Sequence, residues 1–577
     1  AILVNEGDGV KEGDDLFDLE EKSIKPVKVK MESTPGAEGA KIGKIAASVG
    51  KTVRSGEELF QYETKKGNRS FLAPIDGKII KSYIEEGAPV TVGMALFIIQ
   101  PVDMEEEGKE KTLSADIAII GGGPGGYVAA IYASKRGKSV ILVEKDKLGG
   151  TCLNVGCIPT KALVKSAEVY NEALESAIFG IKLDHNAIHP EMEKIIDHKN
   201  SVVARLVGGI EGLMGANKIT VLNGEGSFVS DNEIVVKSTD KETHVKAKDI
   251  IVATGSDIAR IPIPGIDLPG VLNSTTALSL RTLPKKVTIV GGGVIGMEFA
   301  FIYSHLGSKV VVVEFLDGIL NMVDKDVSNE IARIAKKQGI DIHTGSRVLE
   351  IAEDDDNKAI VTYEKDGIKE QVVSDNVLVA IGRIPNIQGL NIEATGVTLN
   401  PRGRGIKVDG YMKTSKDHIY AIGDVTNIIQ LAHVASHQGI IAVGNILGDN
   451  KPMDYHAVPN VIFTSPEIAS VGKTEDECNK EGVEYKSSKF YFRGNGKAVS
   501  MEQTDGFVKL LKDPKTNRLL GASIIGPDAS SLVSVLTVAI QNNLTDEDIA
   551  HTIFPHPTTS EAIHEAAMGL GIGSLHQ

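Results

Sequence analysis

The sequence predicts an α/β protein in which two glycine-turn units of parallel sheet follow one another, preceded by a small all-β sandwich. Three observations carry this. A strand, turn, helix and strand pattern ending in an acid occurs twice at a constant offset of 170 residues, and a turn-and-strand pattern near the amino end occurs twice at an offset of 37. The chain also holds 61 glycines among 577 residues, well above the usual ~7%, clustered where tight turns and backbone-lined ligand sites are built. Bulk composition narrows the class further. With 62 Lys+Arg against 77 Asp+Glu the formal charge is −15, the wrong sign for gripping phosphate backbones, so no nucleic acid is expected as a partner. No run reaches the ~18 apolar residues of a spanning helix, so no membrane is expected either. Three cysteines, Cys152, Cys157 and Cys478, are too few for a secreted disulfide scaffold. The amino end has neither a basic stretch nor an apolar signal core, which favours a cytoplasmic protein.

The amino-terminal repeat comes first along the chain. Gly50, Val53, Gly56, Leu59 and Phe60 return without a gap as Gly87, Val90, Gly93, Leu96 and Phe97. Each copy is turn, apolar position, turn and strand, so residues 36–101 are predicted to form two halves of a flattened β-sandwich. A third copy, Gly7 to Phe17, lies in residues 1–35, an extension without a partner half and without an assigned function. Between the two halves, Tyr62-Glu63-Thr64-Lys65-Lys66-Gly67-Asn68 stands where a hairpin must reverse and hold a lysine in solvent. This stretch resembles the Glu-Thr-Asp-Lys-Ala hairpin of lipoyl domains, and Ala73-Pro74-x-x-Gly77 matches the strand entry that follows it. The resemblance implies covalent lipoate on Lys66, with Lys65 and Gly67 departing from the family's Asp and Ala. A biotin carrier would show Met-Lys-Met here. Residues 102–113 are charged and aperiodic, the composition of a solvated linker.

Two ungapped glycine motifs follow. Gly121-x-Gly123-x-x-Gly126 sits between an apolar strand and a helix-like run, with Glu144 closing the next strand; Gly291-x-Gly293-x-x-Gly296 and Glu314 repeat the order. The spacing has a chemical reason. The first glycine allows the turn, the second admits a pyrophosphate to the helix amino end, the third lets helix lie on strand, and the acid binds a ribose diol. Both units therefore read as Rossmann-like dinucleotide-binding domains. A carboxylate at Glu314 repels the extra phosphate of NADP, so the second unit is expected to take NAD.

Directly after the first unit comes Gly149-Gly150-Thr151-Cys152-Leu153-Asn154-Val155-Gly156-Cys157-Ile158-Pro159-Thr160-Lys161. Two thiols five apart without further ligands nearby are most simply a redox pair; zinc would need two more donors, so no metal is expected. From about residue 114 to the end the chain resembles dihydrolipoyl dehydrogenases, flavin disulfide oxidoreductases. The resemblance implies FAD in the first unit and NAD in the second. It implies Cys152 as the outer thiol that meets substrate, Cys157 as the inner thiol beside the flavin, and Lys161 near the flavin, paired with Glu298. FAD contacts are implied at Thr151, Gly226, Thr254, Gly255, Ser256, Asp424, Leu431, Ala432 and His433, and NAD contacts at Val348 and Gly382.

Near the carboxyl end, Phe554-Pro555-His556-Pro557-Thr558-Thr559-Ser560-Glu561 resembles the family's His-Pro-Thr and Ser-Glu signature, in which His takes the substrate thiol's proton and Glu orients the ring. In the family this pair serves the other subunit's disulfide, which implies a homodimer. Pro555 replaces the usual Ala. The domains expected are then a FAD-binding domain at 114–260 returning at 386–455, a NAD-binding domain at 261–385, and an α+β dimerisation domain at 456–577. The implied reaction oxidises protein-bound dihydrolipoamide to lipoamide and reduces NAD, within a 2-oxo acid, acetoin or glycine-cleavage complex whose dihydrolipoyl domains are the partners. Two alternatives are weighed beside it. Glutathione or mercuric reductase is disfavoured by Glu314 and by a tail without cysteines, and a carrier scaffold by the intact Cys152, Cys157, His556 and Glu561.

Overall fold

A computed structural model describes residues 26–32, 37–64, 67–101, 111–239 and 241–576. Lys66 and the copy from Gly7 to Phe17 lie outside the described residues. The chain divides into two compact units, Ala1–Lys111 and Thr112–Gln577.

The amino-terminal unit is two small antiparallel sheets. One orders the strands Val27–Lys30, Ala95–Pro101, Gly77–Ser82 and Thr52–Val53; the other orders Lys41–Ile45, Glu58–Thr64 and Gly67–Leu72. The 37-residue repeat is visible in the bonding. Gly50 N–H donates to Ile79 O and Gly87 N–H to Ile42 O, and Ile42 and Ile79 are themselves 37 apart. Val53, Leu59 and Phe60 from one copy and Val90, Leu96 and Phe97 from the other are buried in one core. Thr64 stands opposite Gly67 across the second sheet.

The extension read at 1–35 is not separate throughout. Val27–Lys30 runs antiparallel to Ala95–Pro101 with Val29 opposite Phe97, and Val29 and Met31 join the sandwich core. The physical reason is the two-residue period of Val27, Val29 and Met31, set between lysines that face out. At the other end a strand already begins at Lys111, inside the stretch read as linker, and Leu113 and Ala115 pack on the next core.

In the second unit the two glycine motifs build matching halves. Ile117 to Ile120 pair in parallel with Val140 to Val143, and Val287 to Val290 with Val310 to Val313, the same register 170 residues on. Helices Pro124–Lys135 and Val294–His305 follow their turns at the same offset. The first half belongs to a seven-stranded sheet that Ile419–Ala421 rejoins in parallel beside Glu242–Val252. The second is a five-stranded parallel sheet with a three-stranded antiparallel sheet from Arg347 to Ser374. A five-stranded antiparallel sheet follows, on which helices Ala529–Gln541 and Glu561–Leu570 pack. Strands buried on both faces, such as Val140–Glu144, read as continuous apolar runs for this reason. Among the described residues no helix is long and apolar enough to cross a membrane.

Candidate active site

The cysteines are brought together by a helix break. Helix Gly150–Val155 stops at Gly156 and helix Cys157–Glu175 starts one residue later. A Cβ on Gly156 would lie 2.9 Å from Thr151 O, so only glycine permits the bend. Cys152 is thereby set on the last-but-one turn and Cys157 on the first residue of the new helix, where the helix end favours a thiolate. Both are free thiols here and they hydrogen-bond to one another. The Cys152 hydrogen bond, with the charge of Lys161 helping against burial, holds the Cys157 thiol down to about 7. The same shared bond and burial push Cys152 up.

One turn after Cys157, Lys161 Nζ lies 2.7 Å from Glu298 Oε1 and 4.2 Å from the centroid of the Phe463 ring. Glu298 is buried on the helix that follows the second glycine motif and also accepts the Phe463 N–H at 3.0 Å. The pair therefore ties the cysteine helix to the second dinucleotide unit and to the carboxyl-terminal sheet.

A cavity of about 790 Å³ surrounds these groups. Gly121, Gly123, Glu144, Thr151 and Gly226 line it from the first unit, together with Thr254, Gly255 and Ser256 from the chain's exit. Asp424, Leu431, Ala432 and His433 line it from the return segment, and Cys152, Cys157, Lys161 and Glu298 complete it. Gly291, Gly293, Glu314, Val348 and Gly382 share a second cavity of about 1250 Å³. Gly126 and Gly296 line neither cavity.

The glycines test whether dinucleotides suit these grooves. Cβ atoms on Gly126 and Gly296 would fall 1.8 and 1.9 Å from the carbonyl oxygens of Gly121 and Gly291, so the fold itself demands those glycines. The middle glycines differ. A Cβ on Gly123 would meet nothing nearer than 3.9 Å and one on Gly293 nothing within 4 Å, so the protein leaves backbone bare where a pyrophosphate would approach. Glu144 accepts the N–H groups of Gly122 at 2.7 Å and Asp146 at 2.8 Å, and Glu314 accepts those of Gly292 and Leu316. Each acid is thus fixed at its strand end beside the turn, positioned for a ribose. Asn154 donates to Leu148 O and Gly150 O while its buried Oδ1 has no protein partner, an acceptor on the cavity wall. The residues fit a dinucleotide in each groove.

Burial raises the Asp424 carboxyl, which accepts Ser256 Oγ at 2.5 Å. Thr254 Oγ1 donates to Asn386 O. Burial lowers His433, whose Nε2 lies 2.9 Å from Pro459 O. His556 and Glu561 stand together, with Nδ1 and Oε1 2.9 Å apart, and Glu561 Oε2 accepts the Thr558 N–H. Burial works against the Glu561 charge, but Thr558 and His556 hold its carboxyl below the usual range. His556 is 78% exposed and lines neither cavity of its own chain. Cys478 is buried on helix Glu475–Glu481 and lines neither cavity, although Glu477 beside it lines the second.

Sequence reasoning missed Arg383, Asn154, Phe463 and Gln438. Gln438 Oε1 accepts the Gly423 N–H at 2.6 Å and Nε2 donates to Tyr455, which braces the turn before Asp424. Arg383 directly follows Gly382, yet no spacing marks it.

Two glycine-cradled dinucleotide grooves meeting at a dithiol helix define a nucleotide-linked disulfide oxidoreductase. The chain belongs to the pyridine nucleotide-disulphide oxidoreductase family, whose model matches residues 115–439, and the dimerisation domain of that family matches residues 458–567. It is 40% identical over 469 residues to the mitochondrial dihydrolipoyl dehydrogenase of Canis lupus familiaris, covering 80% of this chain and 92% of that one. It is 45% identical over 460 residues to the dihydrolipoyl dehydrogenase of Chlamydia pneumoniae, covering 79% and 97%. Among solved structures, LpdA from Mycobacterium tuberculosis superposes with a TM-score of 0.74 at 28% identity over 80% of this chain and 99% of that one. The Cu(II) complex of the HOCl-induced flavoprotein disulfide reductase RclA from Escherichia coli superposes at 0.72, with 30% identity over 79% and 99%.

Proposed function

We propose that the protein is the dihydrolipoyl dehydrogenase of a 2-oxo acid, acetoin or glycine-cleavage type complex. It oxidises protein-bound dihydrolipoamide to lipoamide and reduces NAD. The observation that carries this is the Cys152 and Cys157 pair, backed by Lys161 and Glu298 at the junction of two dinucleotide grooves.

His556, its Nδ1 held by Glu561, accepts the substrate thiol's proton at Nε2. The thiolate attacks the sulfur of Cys152, the Cys152–Cys157 bond breaks and Cys157 leaves as thiolate. The second substrate thiol then displaces Cys152, and oxidised lipoamide departs. Lys161 and the helix end hold the Cys157 charge. FAD supplies the relay for the electron pair and NAD the hydride acceptor. Gly121, Gly123, Glu144 and Asp424 would hold FAD, and Gly291, Gly293, Glu314, Val348 and Gly382 would hold NAD.

The exposed His556 and the match to a dimerisation domain support a homodimer in which His556 serves the partner's thiols. Exposed apolar side chains on that domain, Val538, Ile553 and Ile572 among them, support it too. The amino-terminal sandwich is assigned as a lipoyl domain carrying lipoate on Lys66, on its internal repeat and on the pairing of Thr64 with Gly67. The domain limits read from the sequence are kept as part of this proposal, with Val27–Lys30 added to the sandwich and the first strand of the FAD-binding domain begun at Lys111. The setting is cytoplasmic.

Dihydrolipoamide-dependent reduction of NAD, compared in wild type, Cys152→Ser and Cys157→Ser, tests the activity. Loss in both variants is expected; turnover that survives either substitution overturns it. Peptide mass spectrometry of the residue 65–69 region tests lipoate on Lys66.

A further inference from the structure

The turn that leads into Asp424 is held from outside its own backbone. Gly423 starts it at φ +73°, and its N–H donates at 2.6 Å to Oε1 of Gln438, a fully buried side chain. The other half of that amide is committed as well, since Nε2 donates at 2.8 Å to the Tyr455 hydroxyl. A peptide N–H can only donate, so Oε1 must face Gly423 and the amide's donor end is left for Tyr455. Gly423 and Asp424 line the first cavity and Tyr455 lines the second, while Gln438 lines neither. One buried amide therefore ties the walls of the two cavities together.

The helix that bears Gln438, Ala432–Ile446, is itself fixed. It lies against the helix of the first glycine motif, where Ser436 Oγ donates to Pro124 O at 3.2 Å. The two helices approach so closely at Gly439 that a Cβ there would fall 2.8 Å from Gly125 O. Asp424 meanwhile accepts the Ser256 hydroxyl. Its backbone is thus set by Gln438 and its carboxylate by Ser256.

We propose that Gln438 is a positioning residue: through the Gly423 N–H it sets how Asp424 enters the first cavity, and through Tyr455 it takes that setting from the wall of the second. The inference rests on the reading above that the first cavity holds FAD and that Asp424 touches it. Without the amide a buried peptide N–H loses its acceptor, and the turn regains one only by rotating, which carries Asp424 with it.

The test follows release of FAD from the loaded protein after dilution, read as flavin fluorescence well below each variant's unfolding midpoint. Gln438→Leu, which fills the space and accepts no hydrogen bond, should release FAD about tenfold faster, the low end of what losing the outer partner of a liganding group costs in affinity. Gln438→Glu, whose carboxylate accepts from both Gly423 and Tyr455, should release it at nearly the wild-type rate. Tyr455→Phe should hasten release less than Gln438→Leu does, and the double variant should be no faster than Gln438→Leu alone, because both act through one amide. If Gln438→Leu does not fold, Gln438→Met takes its place with the same expectation. Release at the wild-type rate in the folded Leu variant, whatever its unfolding midpoint, overturns the proposal. Release as fast in Gln438→Glu as in Gln438→Leu, or additive effects of the two substitutions, does so too. Failure of the FAD reading would look different: Asp424→Ala would then release FAD no faster than wild type, and the proposal would fall with it.

Discussion

Replacing Gly293 by Ala separates what the fold needs from what the ligand needs. Gly293 has φ −77° and ψ −172°, values open to alanine, and its Cβ would meet no protein atom within 4 Å. The free protein should therefore tolerate Gly293→Ala and even gain ~0.4–1 kcal/mol from a stiffer unfolded chain. NAD should not tolerate it, since the methyl occupies the approach to the helix end. Overpacking of that kind costs about 1–3 kcal/mol, or roughly five- to 150-fold in Kd. Gly296→Ala is the control, because its Cβ would sit 1.9 Å from Gly291 O and must disturb the free protein. The assay is calorimetric titration with NAD beside thermal unfolding without it. Unchanged NAD affinity in a well-folded Gly293→Ala protein would refute the assignment of this turn, as would a loss of affinity that only follows a loss of stability.

His556→Gln should lower dihydrolipoamide turnover by about 10²–10⁴ while leaving NADH-dependent reduction of an artificial acceptor intact, as paired steady-state assays would show. Glu561 is depressed below its ordinary value, so its tie to His556 is complete at neutral pH and is lost as pH falls through that lowered value. Glu561→Gln should accordingly lower dihydrolipoamide turnover already at neutral pH, as steady-state assays would show, because the carboxylate that orients the His556 ring is then missing at every pH. Lys509 is buried among Asp324, Asp326 and Glu475; Asp326 keeps Lys489 at 2.7 Å, but Lys509→Met takes the cation from Asp324 and Glu475 and should cost about 3 kcal/mol, read as a lowered unfolding midpoint. Val29→Asp should loosen the amino-terminal sandwich alone, giving rapid proteolysis before residue 111 with the larger unit's unfolding unchanged.

Periodic features were legible in the sequence because their causes are local. The offset of 170 returns as equal strand register and as two acids bonded alike, Glu144 to Gly122 and Glu314 to Gly292. The offset of 37 returns as reciprocal Gly50 and Gly87 bonds. What escaped was set by tertiary contact. The strand at Val27–Lys30 is only four residues long, too short for its alternation to stand out until its partner Ala95–Pro101 is seen beside it. Arg383 bonds Ser256 and Thr151, 127 and 232 residues away in sequence, and the Phe463 ring lies under Lys161 from about 300 residues away, distances that no motif spans. Nothing in the sequence marks Lys509, since its three carboxylates come from segments that only folding brings to it.

The central claim, a thiol pair that carries electrons from dihydrolipoamide towards NAD, is tested most directly by anaerobic spectral titration of the FAD-loaded protein with dihydrolipoamide, followed separately by NAD and by NADP. A long-wavelength thiolate-to-flavin band that NAD discharges and NADP does not is the expected result. Absence of the band with dihydrolipoamide, together with reduction by NADPH, would contradict it and assign the chain to a different disulfide reductase of the same family.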